Sequence, residues 1–228
     1  MSLLSPLQEE ILRAFFQHEQ RFFLTGGAAL AGFHLKHRRT ADLDLFTTPS
    51  ALGEGGDLDA GDAGLKAAAQ QIGATIENIV TSPDFRRRLV RRGSEGVMVD
   101  LVIDRAAQGH PEKQRMGEIR VDLPEEILAN KLCTLLSRSE PRDLVDVYAL
   151  QRAGFSLEQA LPVAARKDGG LTPANLAWLL AQIEIGDDAR IPGGIQPAEL
   201  RAAIADWVAL LTRLAHPGTD GGPPRSGP

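Results

Sequence analysis

The stretch FFLTGGAALAGFHLKHRRTADLDLF, Phe22 to Phe46, decides how the first half of the chain folds. Arg21 to Leu24 reads as a short strand, broken by the glycine pair Gly26-Gly27. Ala28 to Leu35, built largely of good helix formers, reads as a helix opening at that turn. From Ala41 to Phe46, Asp42, Asp44 and Phe46 alternate with Leu43 and Leu45, which is the period of two of a strand. Both acids therefore point to one face. Two carboxylates one residue apart on an apolar segment repel each other and resist burial, so something must compensate them.

Working outward, Pro6 followed by Leu7, Ile11, Leu12, Phe15 and Phe16 predicts a first helix to about Gln20. Pro49 to Gly64, rich in Gly, Asp and Ala, predicts a mobile loop before a helix over Leu65 to Ile72. Phe85 to Arg92 and Gly96 to Ile103, separated by Gly93-Ser94-Glu95, predict a hairpin whose apolar second strand is interrupted by Asp100. From Pro124 the signals are helical only. One helix starts with Glu125 and Glu126 in its first turn and continues through Leu136, and a second spans Arg142 to Ala153 and stops at Gly154. Ser156 with Gln159 resembles a capping box, Thr172-Pro173 marks another start, and a last helix runs from about Pro197 to His216. The fold class expected is α+β (mixed α/β): a mixed β-sheet flanked by helices over residues 1–123, a helical bundle over 124–216, and a disordered Gly, Pro and Ser tail over 217–228.

Composition narrows the function. A chain of 228 residues with 43% hydrophobic content can bury a sizeable core. Its net charge of −5 excludes wholesale coating of nucleic acid, so any nucleic-acid site must be a local patch. Cys133 is the only cysteine, which excludes an intrachain disulfide and a cysteine-based zinc site and fits a reducing, cytoplasmic compartment. The start MSLLSPLQEEILRAFF carries acids where a signal peptide needs basic residues, and no run approaches the ~20 apolar residues of a membrane span. The expectation is a soluble, unexported protein with no membrane partner.

If the strand of Asp42 and Asp44 neighbours that of Asp100, three carboxylates converge beside the Gly26-Gly27 turn. Such an arrangement suits a hard divalent cation, Mg²⁺ or Mn²⁺, carrying a phosphate chain near a helix N-terminus. Two such ions assist in-line attack on an α-phosphate. Asp104 shares the strand face of Asp100, so either could be the third acid; the apolar residues flanking Asp100 favour it. Plainer readings stand beside these. Asp42 and Asp44 could be solvated edge acids paired with Arg38 and Arg39, Lys131 could snorkel from its apolar face, and Arg142 with Asp146 could be an i, i+4 surface pair. The run RRRLVRR, Arg86 to Arg92, reads as a solvated hairpin or as a track for an RNA backbone, and His34 and His37 read as surface residues rather than ligands.

The ordered series GGAAL, HRRTADLDLF, VDLV, KLCTLLSR and RDLVDVYAL, from residue 26 to about 150, resembles the AbiEii/AbiGii toxin family of nucleotidyltransferases within the DNA polymerase β-like superfamily. The resemblance implies a nucleotidyltransferase fold and Mg²⁺-dependent transfer of NMP from an NTP. It further implies an RNA acceptor such as a tRNA 3′ end, and a toxin with a cognate antitoxin protein. Carried over by position, Gly26 and Gly27 form the phosphate-binding turn, Asp42 and Asp44 ligate metal, and Asp100 is the third acid that activates the acceptor. Lys131 contacts the nucleotide phosphates, and Asp143 is a further essential acid beside Arg142 and Asp146. Where such turns carry a hydroxyl residue this chain has Gly27 and Ala28, which leaves Thr25 or Thr40 to supply one. A small-molecule acceptor such as an aminoglycoside, or a non-catalytic binding module on the same fold, are the alternatives.

Overall fold

The computed structural model describes residues 3–138 and 140–216. The first helix, α1 (Pro6–His18), opens on a capping box: Gln8 N–H donates to Ser5 Oγ at 3.2 Å and Ser5 N–H to Gln8 Oε1 at 2.7 Å. Its buried stripe of Leu7, Ile11, Leu12, Phe15 and Phe16 is the one the helical spacing predicts. Strand β1 (Phe23–Thr25) passes directly into α2 (Gly26–Ala29), which continues as a π-helical turn over Leu30–His34. The glycine pair is thus the start of the helix itself. Strand β2 (Asp42–Thr47) follows, with Leu43 and Leu45 fully buried on one face and Asp42, Asp44 and Phe46 half-buried on the other.

Two helical segments, α3 (Pro49–Leu52) and α4 (Asp59–Gln71), occupy much of the region expected to be a mobile loop. Helix α4 starts six residues before Leu65 because Gly61 and Gly64 serve close packing there, not a turn. A Cβ on Gly61 would stand 2.6 Å from Phe22 Cζ, and one on Gly64 3.0 Å from Glu19 Cβ. Strands β3 (Thr75–Thr81), β4 (Phe85–Arg92), β5 (Glu95–Ile103), β6 (Gln114–Met116) and β7 (Ile119–Val121) complete a seven-stranded sheet of order β3-β4-β5-β2-β1-β7-β6. The β4–β5 hairpin turns at Gly93-Ser94, and β2 runs parallel to β5 and antiparallel to β1. Strand β3 lies at the edge and is almost wholly exposed, so it lacks the alternation that marks a strand; β6 and β7 are only three residues each.

Helices α5 (Pro124–Ser137), α6 (Pro141–Arg152), α7 (Leu157–Lys167), α8 (Pro173–Ala181) and α9 (Pro197–Ala215) follow. Helix α5 packs on α6, α7 and α8, and α9 closes against α8 and α6. Ser156 and Thr172 cap α7 and α8 by accepting from the Gln159 and Asn175 amides. Buried apolar side chains from Leu4 to Leu211 form one cluster, so the strands and the later helices share a core. The expected disordered tail lies outside the described residues. Among the described residues no helix is long and apolar enough to cross a membrane.

Candidate active site

Register alone brings the acids together. Thr25 of β1 pairs with Asp44 of β2, and Asp44 pairs with Asp100 of β5, so the end of the glycine-bearing strand and the three acids share one patch of sheet. Gly26 takes a φ of +62°, and a Cβ there would overlap Asp44 Oδ2. Only glycine lets the start of α2 approach that carboxylate so closely. A Cβ on Gly27 would stand 2.8 Å from Arg38 Nη2 and 3.3 Å from Thr40 Oγ1, so the second glycine makes room for a guanidinium and a hydroxyl.

Asp42, Asp44 and Asp100 line a small polar cleft of about 100 Å³ together with Gly27, Thr40 and several cations. Burial pushes the Asp44 carboxyl up to about 6, against the pull of Lys131 and with the repulsion of Asp100 and Asp42. Asp100, only 6% exposed, is held by Arg87 through two bonds, Nε–Oδ1 at 2.8 Å and Nη2–Oδ2 at 2.6 Å. Asp42 faces Arg142 Nη1 at 3.6 Å. Among the described residues no three Asp, Glu, His or Cys side chains are grouped as a metal-ligand set. The donor chemistry still fits a hard cation at Asp42 and Asp44, because both offer carboxylate oxygens and their mutual repulsion is what a cation relieves.

Lys131 does not snorkel. Its Nζ sits 2.7 Å from Asp143 Oδ1 and 2.7 Å from Asp146 Oδ2, both fully buried carboxylates. Burial opposes its charge, but Asp146 and Asp143 outweigh that and raise its pKa. Asp146 also accepts from Arg38 Nε at 2.6 Å, Arg38 Nη2 at 2.8 Å and His37 Nε2 at 2.7 Å. Burial alone would raise the Asp146 carboxyl, yet His37, Lys131 and Arg38 hold it well below the usual carboxylate range. An ionised carboxylate only accepts, so His37 donates. This buried network ties α5 and α6 to the segment before β2.

Several expected pairings are therefore replaced. Arg142 and Asp146 form no i, i+4 pair: Asp146 faces inward to Lys131 and Arg38, while Arg142 holds Glu140 at 2.6 Å. Arg38 serves Asp146 and not the strand acids. His34 and His37 are partly buried and bonded, not surface residues, with His34 Nε2 donating to the Asp122 carbonyl at 2.8 Å. Thr25 donates to Asp122 Oδ2 at 2.8 Å, a carboxylate that Lys113 also holds at 2.7 Å, so its hydroxyl is engaged in bracing β1. Thr40 is the hydroxyl left beside Gly27. Asp104 lies past the end of β5, where it accepts from the Ala106 amide and the Gln108 side chain.

The arginine run is neutralised residue by residue. Arg86 pairs with Asp59 and Asp62, Arg88 is buried against Asp62, Arg92 pairs with Glu10, and Arg91 lies 3.7 Å from Glu77. Within the run, Arg87 is the one that grips an acid of the polar cleft, Asp100. The sequence noted Arg38 as a partner for the strand acids and Arg87 as one of a run, but it did not show that Arg38 holds Asp146 and Arg87 holds Asp100. The available signal was the excess of acids, since buried carboxylates in a fold require cations of matching reach.

Beyond Asp44 and Lys131 a second, larger cleft of about 340 Å³ opens. Phe46, Ile127 and Cys133 give it apolar walls, and Asn130, Thr134, Lys167 and Asp168 add polar groups. Asp44, Lys131 and Arg138 line both clefts and mark where they meet. The arrangement can hold an elongated anionic ligand across that junction, with carboxylates below it and cations at the rim.

No curated protein matches the chain. Among solved structures it is similar to JHP933 from Helicobacter pylori, at TM-score 0.57 and 22% identity over 93% of this chain and 95% of that one. It is also similar to MenT4, the nucleotidyltransferase toxin Rv2826c from Mycobacterium tuberculosis H37Rv, at TM-score 0.58 and 16% identity over 91% and 82% of the two chains. At these identities the likeness shows the fold. The model of the nucleotidyl transferase AbiEii toxin family, a type IV toxin–antitoxin system, matches residues 10–220, nearly the whole chain, and the chain therefore belongs to that family of nucleotidyltransferase toxins.

Proposed function

We propose that the protein transfers an NMP from an NTP to an RNA acceptor, the 3′ end of a tRNA, with Mg²⁺ or Mn²⁺ held by Asp42 and Asp44, and acts as the toxin restrained by an antitoxin protein. The observation that carries this reading is the register Thr25–Asp44–Asp100, which sets Asp44 under the Gly26 backbone at the junction of an apolar-walled cleft and a polar one. When bound, the ion neutralises phosphate charge and assists in-line displacement of pyrophosphate.

The chain's own groups divide the rest of the work. The larger cleft takes base and ribose between Phe46, Ile127 and Asn130. Backbone N–H groups at Gly26 and Gly27, the Thr40 hydroxyl and the rim cations Arg138 and Arg142 face the phosphates. Lys131 has three donor hydrogens and gives two to Asp143 and Asp146, which leaves one for a phosphate oxygen. Asp143 thereby orients Lys131. Asp100, beside Asp44, accepts the proton of the attacking acceptor hydroxyl.

The test incubates purified protein with total cellular RNA, Mg²⁺ and each of the four α-labelled NTPs in turn, with Asp42→Asn as the control. Label should enter RNA from at least one NTP, and be lost with EDTA and in the variant. Absence of label in RNA with all four NTPs, or label appearing only on a small-molecule acceptor, refutes the RNA assignment.

A further inference from the structure

Arg87 stands directly across the β4–β5 pair from Asp100 and grips both of its oxygens. Both oxygens of Asp100 are thereby engaged by the guanidinium, although this acid is the register partner of Asp44. Arg87 differs from its neighbours in the run. Arg88 is 4% exposed at its side chain and anchors Asp62, whereas the Arg87 side chain is 40% exposed and rests near the Phe85 ring, its guanidinium 5.5 Å from the centroid. It therefore has an open path away from Asp100 without disturbing the core.

We infer that Arg87 is a placeholder cation: it neutralises Asp100 until a divalent ion enters between the strand acids, and then turns from Asp100 within the polar cleft that both line, where its freed guanidinium meets a phosphate of the acceptor. The inference rests on the metal reading of Asp42 and Asp44 above and adds Asp100 as a third ligand, whose oxygens the ion shares once the guanidinium has left. It makes Arg87 the acceptor-binding group that couples metal entry to acceptor contact. It also accounts for three acids on adjacent strands that do not form a ligand set as they stand among the described residues. The guanidinium and a metal ion cannot both use the same two oxygens, so each opposes the binding of the other.

Mn²⁺ binding without nucleotide, followed by calorimetry and by the loss of free-ion paramagnetic resonance, tests this independently of activity. Arg87→Gln should bind Mn²⁺ about tenfold tighter than the wild type, since it removes a full positive charge beside the ion. Arg87→Lys, which keeps the charge but not the two-pronged grip, should fall between them. In the transfer assay Arg87→Gln should raise KM for RNA while KM for the NTP stays within about twofold. Equal or weaker Mn²⁺ binding by a folded Arg87→Gln, where the wild type binds the ion and Asp42→Asn does not, overturns this inference alone. Failure of every form to bind Mn²⁺ overturns it together with the metal reading. Should Arg87→Gln not fold, the comparison of wild type with Arg87→Lys carries the same decision.

Discussion

Replacing Asp44 with Asn should make the protein more stable and inactive at once. The rise of the Asp44 carboxyl from 3.8 to about 6 means that ionising it inside the fold costs more than ionising it in the unfolded chain. At about 1.4 kcal/mol per pKa unit, the penalty is about 3 kcal/mol once both states are ionised. The sign follows from proton counts. Between about pH 4 and 6 the native state holds a proton that the unfolded state has released, so stability falls as pH rises through that window and the full penalty persists above it. An amide carries no such charge. Urea unfolding in EDTA should therefore show Asp44→Asn about 3 kcal/mol more stable than wild type at pH 8, shrinking to about 1 kcal/mol near pH 4.5. The substitution also leaves Gly26 its room, because the side-chain shape is kept. A variant no more stable than wild type at pH 8, or an advantage that does not shrink on acidification, would refute the claim that Asp44 is held at an energetic cost by burial and its acidic neighbours. Retained transfer activity would remove Asp44 from the proposed metal site.

Three further outcomes follow from the surrounding packing. Lys131→Met should lower the unfolding free energy by about 3–5 kcal/mol in denaturant titrations, since it strips Asp143 of the hydrogen bond Lys131 gives it and leaves a buried carboxylate behind. Gly61→Ala, normally favourable in a helix, should instead destabilise by about 1–3 kcal/mol because its methyl would press on the Phe22 ring. Burial lowers the pKa of His34, which donates to the Asp122 carbonyl, so the unfolded state takes up a proton there first. Stability that His34 contributes should be complete above about pH 6.5 and diminish below it, and His34→Gln should flatten that part of the stability–pH curve.

Much of the site was legible because its chemistry is local. The alternation of Asp42 and Asp44 with Leu43 and Leu45 placed both acids on one face, and the β2 burial pattern follows that alternation. The apolar setting of Asp100 marked a strand, and β5 contains it. What misled was composition standing in for geometry. Gly61 and Gly64 looked like loop residues, yet they sit in α4 where a ring and a side chain come too close for a Cβ. Strand β3 was invisible because it is an edge strand solvated on both faces. The partners of the charged residues were illegible for a different reason. Arg38 and Asp146 lie 108 positions apart, and nothing in their neighbourhoods says that α6 turns that acid toward the segment before β2.

By itself the sequence determined where strands and helices begin around the site, that acids and glycines crowd one short region, and the order in which its own motifs follow one another. These depend on residues a few positions apart, whose periodicity and caps act through the backbone. Only the tertiary structure decided the pairings: Asp100 beside Asp44 but gripped by Arg87, Lys131 clamped between Asp143 and Asp146, and Arg38 committed to Asp146. A charge reaches whatever lies within a few ångströms regardless of chain position, and burial decides how strongly, so which cation answers which acid is settled only once the strands and helices have packed.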